Sequence, residues 1–314
     1  MSTRKQPLIS VLLPFYRESE IFFTTSVESI LGQSFPDFEV ILICDDPSNQ
    51  NLINAARRFE KIDSRVKVEI NNHNYGLTRS LNKGIQLARG SYICRMDADD
   101  VSSKTRFEDQ LNIMDKEGFD LVGGNVEVID ESGETLYSTD NPFCSSETMA
   151  KALRWNNCIP HPTWMGKRSV FATGYRNIPL CEDYDFLLRS ALAGKKLGLC
   201  PNIVLKYRMT NSSISRNSMY KQYLSQRFLT KKYKNKHDFD IPELLAFIDC
   251  HDNAQRSNNY IKANSLFNKA LESLANRRVV KGLGGLVRCS TLSLGYIDKI
   301  RRLGLASATL KLGK

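Results

Sequence analysis

The chain has no long hydrophobic run. Its 314 residues contain no stretch of about 18 consecutive apolar residues, which a membrane-spanning helix needs. The apolar run near the N-terminus is short and is followed at once by charged residues, so we expect no signal peptide. Internal repeats and low-complexity tracts are also missing. Because 41% of the residues are apolar, a sizeable core can form within one large or two modest domains.

The cysteines and glycines are not spaced as in disulfide frameworks, zinc sites or nucleotide-binding loops. The eight cysteines are scattered and none forms a C-x-x-C pair, so neither a disulfide framework nor zinc-ligand spacing is visible. We therefore expect free thiols in a reducing cytoplasm. The glycines form neither G-x-G-x-x-G nor G-x-x-x-x-G-K, which counts against a dehydrogenase and against a P-loop kinase.

Acidic residues are scarce in the last third of the chain. Residues 1–200 hold 23 Lys and Arg against 27 Asp and Glu, whereas residues 201–314 hold 21 against 7. The two parts therefore carry net charges of −4 and +14. The basic part is interpreted either as a solvated helical surface packed on the rest or as a segment that binds an anionic membrane surface. We expect no nucleic acid, because no recognised module accompanies the charge.

Strand-like and helix-like segments alternate in the first half. Apolar runs at 8–15, 38–44 and 66–70 predict buried strands, and a fourth short strand precedes the segment CRMDADD. This β-α-β-α order predicts an α/β fold with a mostly parallel sheet. Further helices are predicted at 20–33, 49–62, 77–88, 104–116 and 146–155, and further strands at 119–130, 134–138, 197–200 and 203–208.

Three candidate segments lie at the ends of predicted strands: Pro14–Arg17, Asp45–Asp46 and Asp97–Asp100. Ligands of parallel sheets bind at the carboxyl ends of the strands. Because three separate segments would converge on one edge, we expect a ligand site there.

The segment CRMDADD crowds three carboxylates into four positions. Asp97 and Asp99 lie two residues apart and can both reach one hard cation, which would offset their repulsion and hold a diphosphate. A solvated turn is the plain alternative. An EF-hand loop fits poorly, because Val101 and Ser102 stand where an acid and a glycine are needed. Residues Asp97–Val101 also match the D-x-D-x-V nucleophile motif of phosphatases. That motif is expected on the first strand of its domain, however, and here at least three predicted strands come before it.

Three further candidates have both a structural and a functional interpretation. Asp45–Asp46 either caps the next helix or binds a nucleotide base. Glu182–Asp183 opens a helix, where acids are favourable, and a carboxylate there can also serve as a general base on a hydroxyl. His161 lies between two prolines and is predicted to sit in an extended segment, as a structural residue or an acceptor contact.

The ordered set of motifs resembles inverting family 2 glycosyltransferases of the GT-A fold. The set is ISVLLPFYRES, FEVILICDDPS, NYGLTRSLNKGIQLARGSYICRMDADD, HPTWMGKRSVF…TGYR and CEDYDFLLRSALAG, over roughly residues 7–209. The similarity is greatest to bacterial enzymes that assemble capsule, exopolysaccharide or O-antigen. The resemblance implies a Rossmann-like, nucleotide-binding GT-A catalytic domain at 1–212, followed by a basic helical region at 213–314.

The resemblance also implies a donor site. Asp46 would hydrogen-bond the base, with uracil favoured, and Asp97 and Asp99 would hold Mn²⁺ or Mg²⁺ against the diphosphate. Arg17 departs from the Asn that is common in the family, and Leu81 stands where many members carry an Arg. The positions implied to bind the nucleotide are Pro14, Tyr16, Glu18, Asp46, Arg79 and Asp97.

The implied acceptor side contains the catalytic base. Asp183 would be that base with Glu182 beside it, and His161 and Arg208 would lie near the acceptor or the leaving diphosphate. The segment YRMTNSSIS would close over the diphosphate. No Q-x-x-R-W motif is present, which favours single-sugar addition.

The resemblance implies a metal-dependent inverting transfer of one sugar from a nucleotide-sugar to a glycan or lipid-linked glycan. The enzyme would work in the cytoplasm, either free or peripherally at the inner face of the cell membrane. A non-catalytic nucleotide-sugar-binding protein is the second hypothesis, and an aspartate phosphatase that uses Asp97 is the third.

Overall fold

The structure, a computed structural model, describes residues 6–210, 218–275 and 278–313. The strands are β1 (Ile9–Phe15), β2 (Phe38–Cys44), β3 (Val66–Ile70), β4 (Tyr92–Arg95), β5 (Val101–Ser102), β6 (Leu121–Ile129), β7 (Thr135–Ser138), β8 (Met165–Lys167) and β9 (Leu197–Arg208). The helices of the first part are α1 (Glu20–Leu31), α2 (Gln50–Ile62), α3 (Leu77–Leu87), α4 (Arg106–Glu117), α5 (Ser146–Ala152), α6 (Arg168–Phe171) and α7 (Glu182–Leu192). The helices of the basic part are α8 (Met219–Asn235), α9 (Ile241–His251), α10 (Ala254–Ala275), α11 (Val279–Leu292) and α12 (Leu294–Leu312).

The strands join in one sheet of order β3-β2-β1-β4-β8-β6-β9-β5, with β7 paired to β6. The first four strands are parallel, as predicted, so their carboxyl ends share one edge. Beyond β4 the sheet is mixed, because the short strand β8 pairs antiparallel with both β4 and β6. The predicted strands at 197–200 and 203–208 are one strand, β9, whose pairing with β6 is irregular opposite Gly124 and Asn125.

Helices cover both faces of the sheet, which explains why β1 and β2 are buried along their whole length. One core contains Phe23 from α1, Phe59 from α2 and Phe107 from α4. The other core contains Leu81 from α3 and Leu187 from α7. Leu81, which stands where many family 2 enzymes carry an Arg, is therefore a core residue.

The basic helices pack on the second of these cores. Leu224, Tyr260, Tyr296 and Leu310 are buried in the same cluster as Trp164. The boundary predicted at residues 212 and 213 lies outside the described residues. Among the helices that the structure describes, none combines the length and apolarity that crossing a bilayer requires.

Candidate active site

Asp45 organises the loop that follows β3. Its Oδ1 accepts hydrogen bonds from Asn71 Nδ2 at 2.8 Å and from Tyr75 N and Ser80 Oγ, both at 2.9 Å. Its Oδ2 accepts from Gly76 N at 2.9 Å. Both oxygens are thus occupied by protein donors, so Asp45 has a structural role at this edge.

Asp46 lies beside Asp45 at the end of β2 and has different partners. Its Oδ1 accepts from the backbone N–H and the hydroxyl of Ser48, and its Oδ2 accepts from Arg17 Nε at 3.0 Å. The Ser48 hydroxyl and the Arg17 guanidinium lower the pKa of Asp46. The sequence left open whether Asp45–Asp46 caps the next helix. The residue that caps α2 is Asn49, whose side chain accepts a hydrogen bond from Leu52 N. Asp46 is therefore a charged carboxylate at the carboxyl edge of the sheet.

The other predicted donor-site residues lie along the same edge. Pro14 is near the end of β1, and Glu18 Oε2 accepts from Tyr16 N at 2.7 Å. Burial, followed by the charge of Asp97, raises the pKa of Glu18. Arg79 is exposed in the first turn of α3. Glu18 therefore lies close enough to Asp97 for the two carboxylates to interact electrostatically, whereas Arg79 faces solvent.

The carboxylates of CRMDADD form a compact oxygen cluster. One ligand oxygen each from Asp97, Asp99 and Asp100 lies within 4.8 Å of the others. Asp100 Oδ1 accepts from Arg208 N at 2.8 Å, while Asp100 Oδ2 is buried without a hydrogen-bond partner in the part of the chain that the structure describes. Burial and then the neighbouring carboxylates Asp97 and Glu18 raise the pKa of Asp99 to about 7. An unpaired buried oxygen in such a cluster fits a hard divalent cation, which prefers oxygen ligands.

Arg208 supports this cluster from β9. Its Nε donates to the Asp99 carbonyl at 2.9 Å and its Nη1 to the Asp130 carbonyl at 3.2 Å. Its guanidinium also lies over the Phe22 ring, 4.2 Å from the centroid. The predicted contact of Arg208 with acceptor or diphosphate stays a prediction. Residues 211–215 of the segment predicted to close over the diphosphate lie outside the described residues.

Arg95 pairs with the oxygen cluster and also acts on the predicted base through its charge, a role that the sequence prediction missed. It is buried and forms an ion pair with Asp97, while its Nε and Nη1 are buried without a partner among the described residues. Its positive charge lowers the pKa values of Glu182 and Asp183, against the larger raising effect of burial. The only available signal was an arginine two residues before the first carboxylate of CRMDADD.

Glu182 and Asp183 open α7, as predicted. Asp183 Oδ1 accepts from Tyr184 N at 2.6 Å, and Oδ2 accepts from Asn157 Nδ2 at 2.8 Å. Burial raises the pKa of Asp183, and burial with the Asp183 charge raises the pKa of Glu182 to about 7. A carboxylate with raised proton affinity, held in one orientation, suits general base catalysis.

His161 lies in a short 3-10 helix (His161–Thr163), so the prediction of an extended segment was wrong. Pro162 tolerates this turn, because a residue near the start of a helical turn needs no backbone N–H. His161 Nε2 is 2.9 Å from the Tyr175 hydroxyl, and its ring lies 4.5 Å from Trp164. Burial and the Arg95 charge hold the pKa of His161 well below its usual range, so the ring is neutral.

A cavity of about 350 Å³ opens beside the predicted base. Helices α8 and α12 form one of its walls, although both lie beyond the motifs recognised in the sequence. Amides, apolar side chains, His161 and Asp183 share the lining. The lining residues are Asn141, Asn156, Asn157, Cys158, Pro160, His161, Asp183, Gln226, Leu303, Ala306, Ser307 and Leu310.

Comparisons with known proteins agree with this architecture. The family described as Glycosyl transferase family 2 matches residues 10–174, more than half of the chain. The O-antigen biosynthesis glycosyltransferase WbnJ of Escherichia coli is 32% identical over 249 residues, which cover 74% of this chain and 93% of that protein. The UDP-Glc:alpha-D-GlcNAc-diphosphoundecaprenol beta-1,3-glucosyltransferase WfgD of Escherichia coli is 29% identical over 213 residues, which cover 67% and 80%.

A solved structure shows the same fold. The crystal structure of S. aureus TarS 1-349 in complex with UDP-GlcNAc superposes with a TM-score of 0.57 at 16% identity, covering 98% of this chain and 92% of that one. The chain therefore belongs to glycosyl transferase family 2 and is a glycosyltransferase.

Proposed function

We propose that this enzyme moves one sugar from a nucleotide-sugar, with UDP favoured as the nucleotide, to a hydroxyl of a glycan or lipid-linked glycan in surface polysaccharide biosynthesis. One observation carries the proposal: the buried Arg95 pairs with Asp97 of an oxygen cluster suited to a metal and also acts electrostatically on Glu182 and Asp183, and Asp183 lines a cavity. The activities named for the two Escherichia coli relatives support the role in surface polysaccharide biosynthesis, and the TarS complex supports a UDP-sugar donor.

On the donor side, Asp46 and Glu18 would hold the nucleotide at the edge of the parallel strands. Asp97 and Asp99 would hold Mn²⁺ or Mg²⁺, which supplies Lewis-acid stabilisation of a leaving diphosphate when bound. Arg95 keeps Asp97 in place through its ion pair. Arg208 fixes the backbone at Asp99, so both ligand carboxylates are presented from a rigid turn.

On the acceptor side, Asp183 takes the proton of the acceptor hydroxyl as that oxygen attacks the anomeric carbon. The bond from the anomeric carbon to the diphosphate breaks, and the nucleoside diphosphate leaves with the bonding electrons. Because attack comes from the face opposite the leaving group, the anomeric configuration inverts. The hydrogen bonds from Asn157 and Tyr184 N orient the Asp183 carboxylate for this role.

Calorimetric titration tests the donor site. UDP, GDP, dTDP and CDP are titrated with and without Mn²⁺ into the wild type, Asp99→Ala and the exposed control Asp115→Ala. We expect Mn²⁺-dependent binding of one nucleotide, UDP, by the wild type and the control and its loss in Asp99→Ala. Absence of binding for all four nucleotides would contradict the proposal. Hydrolysis of simple phosphoesters through an aspartyl-phosphate on Asp97 would favour a phosphatase.

Exposed residues of the basic helical region support binding of the enzyme to an anionic membrane surface. Val280 is 88% exposed and Leu294 is 84% exposed, and Val287 is also exposed on α11. Arg278 and Arg288 are exposed beside them. Apolar side chains flanked by cations are typical of interfacial helices. Each basic group near an anionic bilayer contributes about 1 kcal/mol to binding. A lipid-linked acceptor would be available at that surface.

A further inference from the structure

Four basic residues surround the side chain and backbone of Trp155. Lys234 Nζ lies 3.9 Å from the centre of the Trp155 ring, and the Arg301 guanidinium carbon lies 5.7 Å from it. Arg302 Nε donates to the Trp155 carbonyl at 2.7 Å, and Arg154 is the preceding residue in the chain. We call Arg154, Lys234, Arg301 and Arg302 the Trp155 cluster.

The positive charge of the Trp155 cluster is only partly compensated. In the part of the chain that the structure describes, Asp298 is the one carboxylate paired with it, bound to Arg301 Nη2 at 2.7 Å. Partial burial, followed by the charges of Arg301, Arg302 and Arg154, lowers the pKa of Lys234. Like charges held this close repel each other, and an anion bound between them reduces that repulsion.

The Trp155 cluster adjoins the cavity that holds the predicted base. Asn156 and Asn157, the two residues after Trp155, line that cavity, and Asn157 donates to Asp183. On the other side, Leu303 follows Arg302 and lines the same cavity. The loop 154–157 and helix α12 therefore contribute residues both to the cavity and to the Trp155 cluster.

We infer that the Trp155 cluster binds a phosphate or diphosphate group of the acceptor. The inference rests on the proposed function and names the acceptor class: a glycan that carries a phosphate ester next to the sugar. Among the described residues, the cavity lining includes amides but no Lys or Arg, which suits the neutral sugar. The exposed guanidinium and ammonium groups of Arg154, Lys234 and Arg301 suit phosphate oxygens, with which such groups form charge-assisted hydrogen bonds, whereas the buried Arg302 holds the Trp155 backbone.

Intrinsic fluorescence provides a local probe. The chain has two tryptophans, and Trp164 is fully buried, so Trp155 reports on ligands at the cluster. Inorganic pyrophosphate is titrated in EDTA into the wild type, the double variant Arg154→Gln/Lys234→Gln and the control Lys61→Gln/Lys116→Gln. The control removes the same charge from exposed positions elsewhere. We expect a saturable change in the wild type and control, and at least tenfold weaker binding in the double variant.

The outcomes separate this inference from the proposed donor site. Asp99→Ala should keep the pyrophosphate response, and the double variant should keep Mn²⁺-dependent UDP binding. No response in the wild type, or an equal response in the double variant, would overturn the inference. A response to phosphatidylglycerol vesicles but not to pyrophosphate would assign the cluster to bilayer headgroups and would also overturn it. If the wild type showed no Mn²⁺-dependent UDP binding, that result would instead contradict the proposed function.

Discussion

At the scale of single residues, Asp183 combines a raised pKa, two hydrogen bonds and a place on the cavity wall. We expect Asp183→Asn to lower sugar transfer by about 10³-fold, in the range of general base catalysis. UDP affinity should be unchanged, because the donor-site residues lie on other elements. Product formation and calorimetry measure the two effects, with Asp115→Asn as an exposed control. Undiminished turnover would remove Asp183 from this role.

Glu182 makes the stability of the fold depend on pH. Its pKa of about 7 lies above the ordinary value of 4.5, so the folded state holds this proton more tightly than the unfolded chain. The resulting stabilisation is complete below pH 4.5 and is lost as the pH rises through 7. Glu182→Gln removes this dependence and should be more stable than the wild type at high pH, by on the order of 2 kcal/mol.

Urea unfolding in EDTA at low and high pH measures this difference. Glu28→Gln is the matched control, because Glu28 is exposed on α1. An equal effect of Glu182→Gln at both pH values would contradict the raised pKa.

At the scale of elements, Asp45 holds the turn between β3 and α3. Asp45→Ala would leave the Ser80 hydroxyl and the Tyr75 N–H without their acceptor. It would also remove one of the two acceptors of Asn71 Nδ2 and of Gly76 N. We expect a loss of about 3 kcal/mol in unfolding free energy, because unsatisfied buried donors are costly. Asp140→Ala, at an exposed position, should change little. Equal unfolding midpoints for the two variants in urea would show that the turn does not depend on Asp45.

At the scale of the whole molecule, the basic helices share a core with the catalytic part. Leu310 on α12 is buried in the cluster that contains Trp164, whereas Leu312 is 85% exposed. We expect Leu310→Ala to cost about 2–4 kcal/mol of unfolding free energy and Leu312→Ala almost none. One cooperative transition is expected in denaturant. Separate transitions for the two regions would show that they fold independently.

The proposed membrane association also belongs to the whole molecule. The wild type should co-sediment with phosphatidylglycerol vesicles at low salt but not with phosphatidylcholine vesicles. Added salt should weaken binding, because it screens charges on the surface. Val280→Ser/Val287→Ser should bind less, and Ile62→Ser, at an exposed apolar position on α2, is the control. Absence of binding at low salt would contradict the membrane proposal.

The sequence by itself determined the four parallel strands and the edge on which the candidate donor-site segments meet. Buried strands appear as local apolar runs, and parallel connections place their carboxyl ends together, so Asp46, Asp97 and Asp99 could be placed at that edge without coordinates. Glu18 was implied only by the family resemblance. It also determined that Glu182 and Asp183 begin a helix, since acids are favourable in a first turn. Strand β8 was missed because its three residues are too few to show periodicity.

Only the tertiary structure decided what surrounds these residues. Arg95, at the end of β4, pairs with Asp97 and also acts through its charge on Glu182 and Asp183 at the distant start of α7, which no local pattern encodes. The cavity wall from α12 and the Trp155 cluster join segments far apart in the chain. Their contacts depend on how helices pack on a shared core, and packing is set by the shapes of side chains from distant segments.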